Sequence, residues 1–64
     1  MTTRRIEILS FLEGALAAFT YSFGDEVGFE KALELVINTY SKRPMFRSEL
    51  KEVLDEFKPN NNGN

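Results

Sequence analysis

Cysteine and histidine are both absent from these 64 residues. Without cysteine there is no disulfide, no thiolate metal site and no thiol nucleophile. Without histidine the chain lacks the commonest zinc ligand and the commonest general base at neutral pH. Ser10, Ser22, Ser41 and Ser48 therefore have no imidazole to activate them. No glycine-rich phosphate loop, calcium-binding loop or nucleotide fingerprint occurs either. The expectation is a protein that is not an enzyme and holds no cofactor and no metal. No motif in the sequence assigns the chain to a family.

Long apolar runs are also missing. The longest unbroken one is Ala15 to Phe19, far short of the ~20 residues a spanning helix needs. Arg4 and Arg5, the apolar stretch after them and Ala15-Leu16-Ala17 superficially resemble a secretory signal. Glu7 and Glu13 interrupt that pattern, and cleavage there would remove the best helix. The sequence thus predicts no membrane contact, and the lack of cysteine fits a reducing, cytoplasmic setting.

Sixty-four residues make one domain at most. A chain of this size buries only about 60% of its unfolded surface, so area gain and ordering entropy nearly cancel unless something staples the fold. Disulfides and cysteine–histidine metal sites are excluded, which leaves oligomerisation. The hydrophobic fraction of 42%, with six Phe and two Tyr, points the same way. Ten acidic and eight basic residues give a net charge of −2. That balance disfavours nonspecific binding to nucleic acid or anionic membrane.

Ile6 to Phe23 is the stretch around which the rest is organised. Leu9, Leu12, Leu16, Phe19 and Phe23 recur at steps of three and four, the seam of a helix that packs against other helices. Ile8, Phe11, Ala15 and Ala18 form a second row beside it. Glu7 and Glu13 carry the only charges. A helix apolar over most of its circumference must be surrounded. Gly14 in its middle costs about 1 kcal/mol relative to Ala, and small residues follow it. That waist reads as a place where another backbone approaches closely. At the helix start, Thr2 or Thr3 can cap, while Arg4 and Arg5 sit at the wrong end for the dipole. Either that placement is neutral or the arginines answer an acidic partner.

Gly24 suits the left-handed position that ends a helix, with Asp25 able to cap the next and Gly28 loosening its start. Phe29, Ala32, Leu33, Val36, Ile37 and Tyr40 mark one face of a second helix. Pro44 closes it, with Lys42 and Arg43 suited to its C-terminal end. Ser48 is the expected cap of a third helix, and Pro44 at the first helical position is the competing boundary. The third helix shows Phe46, Leu50, Val53, Leu54 and Phe57 on one side, and a charged outer face with Lys51 and Asp55 spaced to pair. Glu26 with Glu30 and Glu52 with Glu56 read as solvated surface. Asn60 to Asn64 has nothing apolar to hold it down.

The fold expected is all-α: a three-helix unit at about 3–23, 26–42 and 47–58, completed as a homodimeric helical bundle. Residues 1–58 form the single domain and 59–64 a disordered polar tail. The function expected is a small adaptor or regulatory protein acting through protein–protein interaction. Leu9, Leu12, Gly14, Leu16 and Phe19 form its self-association seam; Arg43, Met45, Phe46 and Arg47 form a partner-binding point beside Pro44. The alternative is a dimeric DNA-binding regulator with a helix-turn-helix around Pro44, supported by the cations Lys42, Arg43 and Arg47. Against it, Glu49, Glu52, Asp55 and Glu56 outnumber Lys51 and Lys58 on the would-be recognition helix, and phosphates repel such a face. The partner's identity and the process served are not written in the residues.

Overall fold

The computed structural model describes residues 3–57. Three α-helices and one short 3₁₀ turn follow one another: α1 (Thr3–Phe23), α2 (Asp25–Tyr40), the 3₁₀ turn Pro44–Phe46, and α3 (Arg47–Phe57). There is no strand among the described residues. The fold is all-α, as the periodicity predicts. Lys58, the candidate cap Thr2 and the polar tail expected to be disordered lie outside the described residues.

Gly24 joins α1 to α2 alone. Its φ of 92° lies in the left-handed region, the sole positive φ among the described residues, and glycine adopts it without a Cβ penalty. Its N–H donates to the Thr20 carbonyl at 2.9 Å, and its own carbonyl accepts from Gly28 N–H at 2.8 Å. One residue therefore ends one helix and begins the next. Asp25 is not the cap expected of it. The N-cap is Gly24, which has no side chain to bond the free amides, and Asp25 and Glu26 face the positive dipole end from the first turn.

This one-residue link folds α2 back along α1, and the closest approach lies one turn from it on each side. A Cβ built on Gly28 would stand 2.5 Å from Thr20 Cα and 2.7 Å from Phe19 carbonyl carbon. Gly28 is buried there and does not loosen the helix. The waist at Gly14, where the sequence suggests close packing, is exposed, and a Cβ on it meets nothing within 4 Å. Link geometry, rather than the small residues of α1, decides where the two backbones meet inside the chain.

α2 ends at Tyr40, two residues before the expected boundary. Ser41 N–H still donates to Ile37 O, Arg43 N–H then turns to Tyr40 O, and Arg43 is extended at φ −116°, ψ 98°, as the residue before a proline prefers. Pro44 opens the 3₁₀ turn, which leads directly into α3; α3 itself begins at Arg47, as expected, and Ser48 lies inside it rather than capping it. α3 runs antiparallel to α2: Tyr40 meets Phe46 with ring centroids 4.7 Å apart, and Phe29 meets Phe57 at 6.4 Å.

Nine side chains form the core: Ile8, Leu12 and Ala15 from α1, Ala32, Val36 and Tyr40 from α2, and Phe46, Leu50 and Val53 from the turn and α3. Each large one contributes roughly 1.5–3 kcal/mol. In α1 the buried stripe is centred on Ile8, Leu12 and Ala15. Leu9, Leu16 and Phe19 of the expected seam, together with Phe11, flank it half-buried. The faces read for α2 and α3 hold, except that Ile37 stays 40% exposed.

Candidate interaction surfaces

Arg5, at the unfavourable end of α1, has acidic partners in its own chain. Its guanidinium bonds Glu52 at 3.2 Å and also bonds Glu56, both on α3. Glu52 and Glu56 are thus not only solvated surface. One helical turn apart, they clasp the N-terminal turn of α1 to α3.

A second polar knot lies where α1 begins and α2 ends. The Tyr40 hydroxyl donates to Glu7 Oε2 at 3.2 Å, and Arg43 Nη1 lies 3.6 Å from the same oxygen. The Arg43 guanidinium also covers the Phe46 ring at 4.5 Å and faces the Tyr40 ring at 5.8 Å. Burial first, and then the Glu7 carboxylate as charge and hydrogen-bond acceptor, push the Tyr40 phenol above its ordinary 10.0; Arg43 opposes them.

Two grooves open on the surface. The first, about 430 Å³, runs along α1 and is lined by Ile6, Leu9, Leu12 and Leu16, with Ser10, Glu13 and Phe57. Of the sequence-predicted seam, Leu9, Leu12 and Leu16 line this groove, with Leu12 at its floor, 1% exposed and part of the core. Phe19 lies further along, at a smaller recess beside Lys31 and Leu35. Ile6, 49% exposed, and Phe57 were not singled out from sequence. Ile6 lies just outside the repeat of the seam, and Phe57 arrives from another helix.

The second groove, about 350 Å³, lies between the end of α2 and α3. Tyr40, Pro44, Leu50 and Leu54 supply its apolar lining; Arg43, Arg47 and Lys51 supply cations, and Asp55 one acid. Two of the four residues read as a partner-binding point, Arg43 and Arg47, are therefore brought together. Phe46 is not available: at 1% exposure it sits in the core beneath Arg43. Met45 is 58% exposed but does not line the groove. Lys51 and Leu54 were missed as site residues, although the four-residue step from Arg47 to Lys51 already places both cations on one face. The expected Lys51–Asp55 ion pair does not form among the described residues, nor does Arg47 enter one.

Among the described residues no cluster of acids could hold a metal ion. α1, at 21 residues, is long and apolar enough to cross a membrane by length and composition alone, a test that core helices and signal sequences also pass. Only 17% of its most apolar window is buried within the chain, so much of that surface lacks cover. Compared with known proteins, the chain matches no family, no curated relative and no solved structure.

Proposed function

We propose that this chain is a small cytoplasmic, non-enzymatic adaptor or regulatory protein that acts by binding other proteins and self-associates as a homodimer through α1. The observation that carries the reading is the uncovered apolar groove of Ile6, Leu9, Leu16 and Phe57. Alongside it, Ser10, Gly14, Ala17 and Ala18 are exposed and small, which lets a second helix come close without displacing side chains. Burial across a two-fold axis covers the surface that a 64-residue chain leaves open. Membrane insertion suits the same surface less well. Glu13 lines the groove and is exposed there, and placing a carboxylate in hydrocarbon is costly.

Gly14→Leu tests the seam cleanly. Nothing in the monomer obstructs a larger side chain there, so the fold tolerates it while the dimer contact is blocked. Ile6→Lys introduces charge at a half-exposed groove position. Both variants are expected to stay helical by circular dichroism and to weaken self-association at least tenfold by sedimentation equilibrium. Unchanged association in both contradicts the seam.

A second reading, DNA binding through the Pro44 turn, draws on the cations Lys42, Arg43 and Arg47, of which Arg47 has no ion pair among the described residues. Glu49, Glu52, Asp55 and Glu56 on the same helix count against it.

A further inference from the structure

The groove beside Pro44 combines two features that the α1 groove lacks: cations without an ion pair among the described residues, and a guanidinium held between a carboxylate and an aromatic ring. Arg47 and Lys51 stand one helical turn apart on α3, both exposed, with no ion pair among the described residues. The half-buried Leu54 and the exposed Pro44 line the same cavity, with only the edge of the core residue Leu50 reaching it. Arg43 is fixed at the mouth by Glu7 and by the ring of Phe46, so little freedom remains for it to lose on binding. On a chain of net charge −2, this end is locally basic.

We infer that this groove binds an acidic, amphipathic peptide segment of a partner protein. The segment lays apolar side chains on Leu54 and Pro44, over the edge of Leu50, and directs carboxylates to Arg47 and Lys51. Acidic and apolar residues each spaced by about one helical turn match the two rows of α3, the recognition mode of a helix in a groove. Carboxylate–guanidinium bonds there fix orientation and speed encounter. Nucleic acid fits less well. A phosphate backbone has no use for Leu50 and Leu54, and the acids of α3 repel it over any length beyond the groove. Asp55, one turn past Lys51, limits the positive strip to a short peptide's length. The residues after Phe57, KPNNNGN, carry no acid and cannot serve as the occupant.

The inference rests on the reading of the chain as an interaction module but not on self-association through α1. The test is selection of random twelve-residue peptides displayed on phage against the intact chain. Amide shift mapping and titration of the selected peptides follow, with wild type, Arg47→Glu/Lys51→Glu and Ile6→Lys. Enrichment of peptides combining Asp or Glu with Leu, Ile or Phe is expected. They should shift the Leu50, Lys51 and Leu54 amides and bind at least tenfold more weakly to the charge-reversed chain, with Ile6→Lys unaffected. Charge reversal also predicts rescue by peptides whose acids are exchanged for lysine. No enrichment, peptides without acids, binding that maps to Ile6 and Leu9, or a salt-sensitive duplex-DNA complex abolished by the same reversal would each overturn the proposal. A loss of sedimentation mass in Arg47→Glu/Lys51→Glu would instead assign the groove to a second copy, and so overturn it too.

Discussion

A methyl group at Gly28 would meet the Thr20 backbone at 2.5 Å. Backbone cannot rotate away as a side-chain tip does, so Gly28→Ala is expected to cost about 2–3 kcal/mol through overpacking. Gly14→Ala is the matched control. With open space around Gly14, it should raise helix stability by about 1 kcal/mol. Urea melts of the two variants check the pair, and equal effects would contradict the placement of the close approach. Tyr40 offers a second residue-scale prediction. Its folded pKa is raised above 10.0, so the folded state favours the neutral phenol. That stability is complete below pH 10 and declines as pH rises through the folded value. Tyr40→Phe should remove this alkaline decline while costing about 1 kcal/mol at neutral pH for the lost bond to Glu7. An identical alkaline profile in the variant would rule the effect out. None of this is legible in the sequence. Glycine's role at 28 depends on where a one-residue link brings two helices together, and Glu7 meets Tyr40 only after that link has formed.

Among the elements, α3 was the most readable and α1 the least. In α3 and the turn before it the apolar residues occupy one stripe opposite a charged face, so periodicity selects Phe46, Leu50, Val53, Leu54 and Phe57, the first three in the core and the last two packed half-buried against it. α1 is apolar nearly all round, and its pattern cannot say which side turns inward. The structure places Ile8, Leu12 and Ala15 inside and leaves Leu9 and Leu16 at the groove. The clasp of Arg5 on Glu52 and Glu56 was equally hidden, because its partners are distant in the chain. Local dipole reasoning marks Arg5 as misplaced without naming what it answers. Arg5 is well covered while both carboxylates are half-exposed, so solvent discounts the clasp to about 1 kcal/mol. Arg5→Glu should lower the melting temperature by more than that loss alone, since it sets like charges together. Glu52→Arg/Glu56→Arg in the same chain should restore much of it. The deficit should shrink in high salt; a melt insensitive to both would contradict the clasp.

At the scale of the whole molecule, nine core side chains support a chain whose longest helix is mostly uncovered. The other two helices close one side of α1 only. The other side exposes Ile6 beside Ser10, Glu13, Gly14 and Ala17, and a second copy is the cover proposed for it. On the proposed reading the two surfaces divide their work: α1 for self-association, and the basic groove beside Pro44 for an acidic partner. The most direct test is sedimentation equilibrium of the intact chain over a wide concentration range, with thermal melts at each concentration. Self-association through α1 predicts a mass rising towards twice the 7.3 kDa of the chain, and a melting temperature that climbs with concentration. A 7.3 kDa species throughout, with a concentration-independent melt, would contradict it and leave the α1 groove open to solvent.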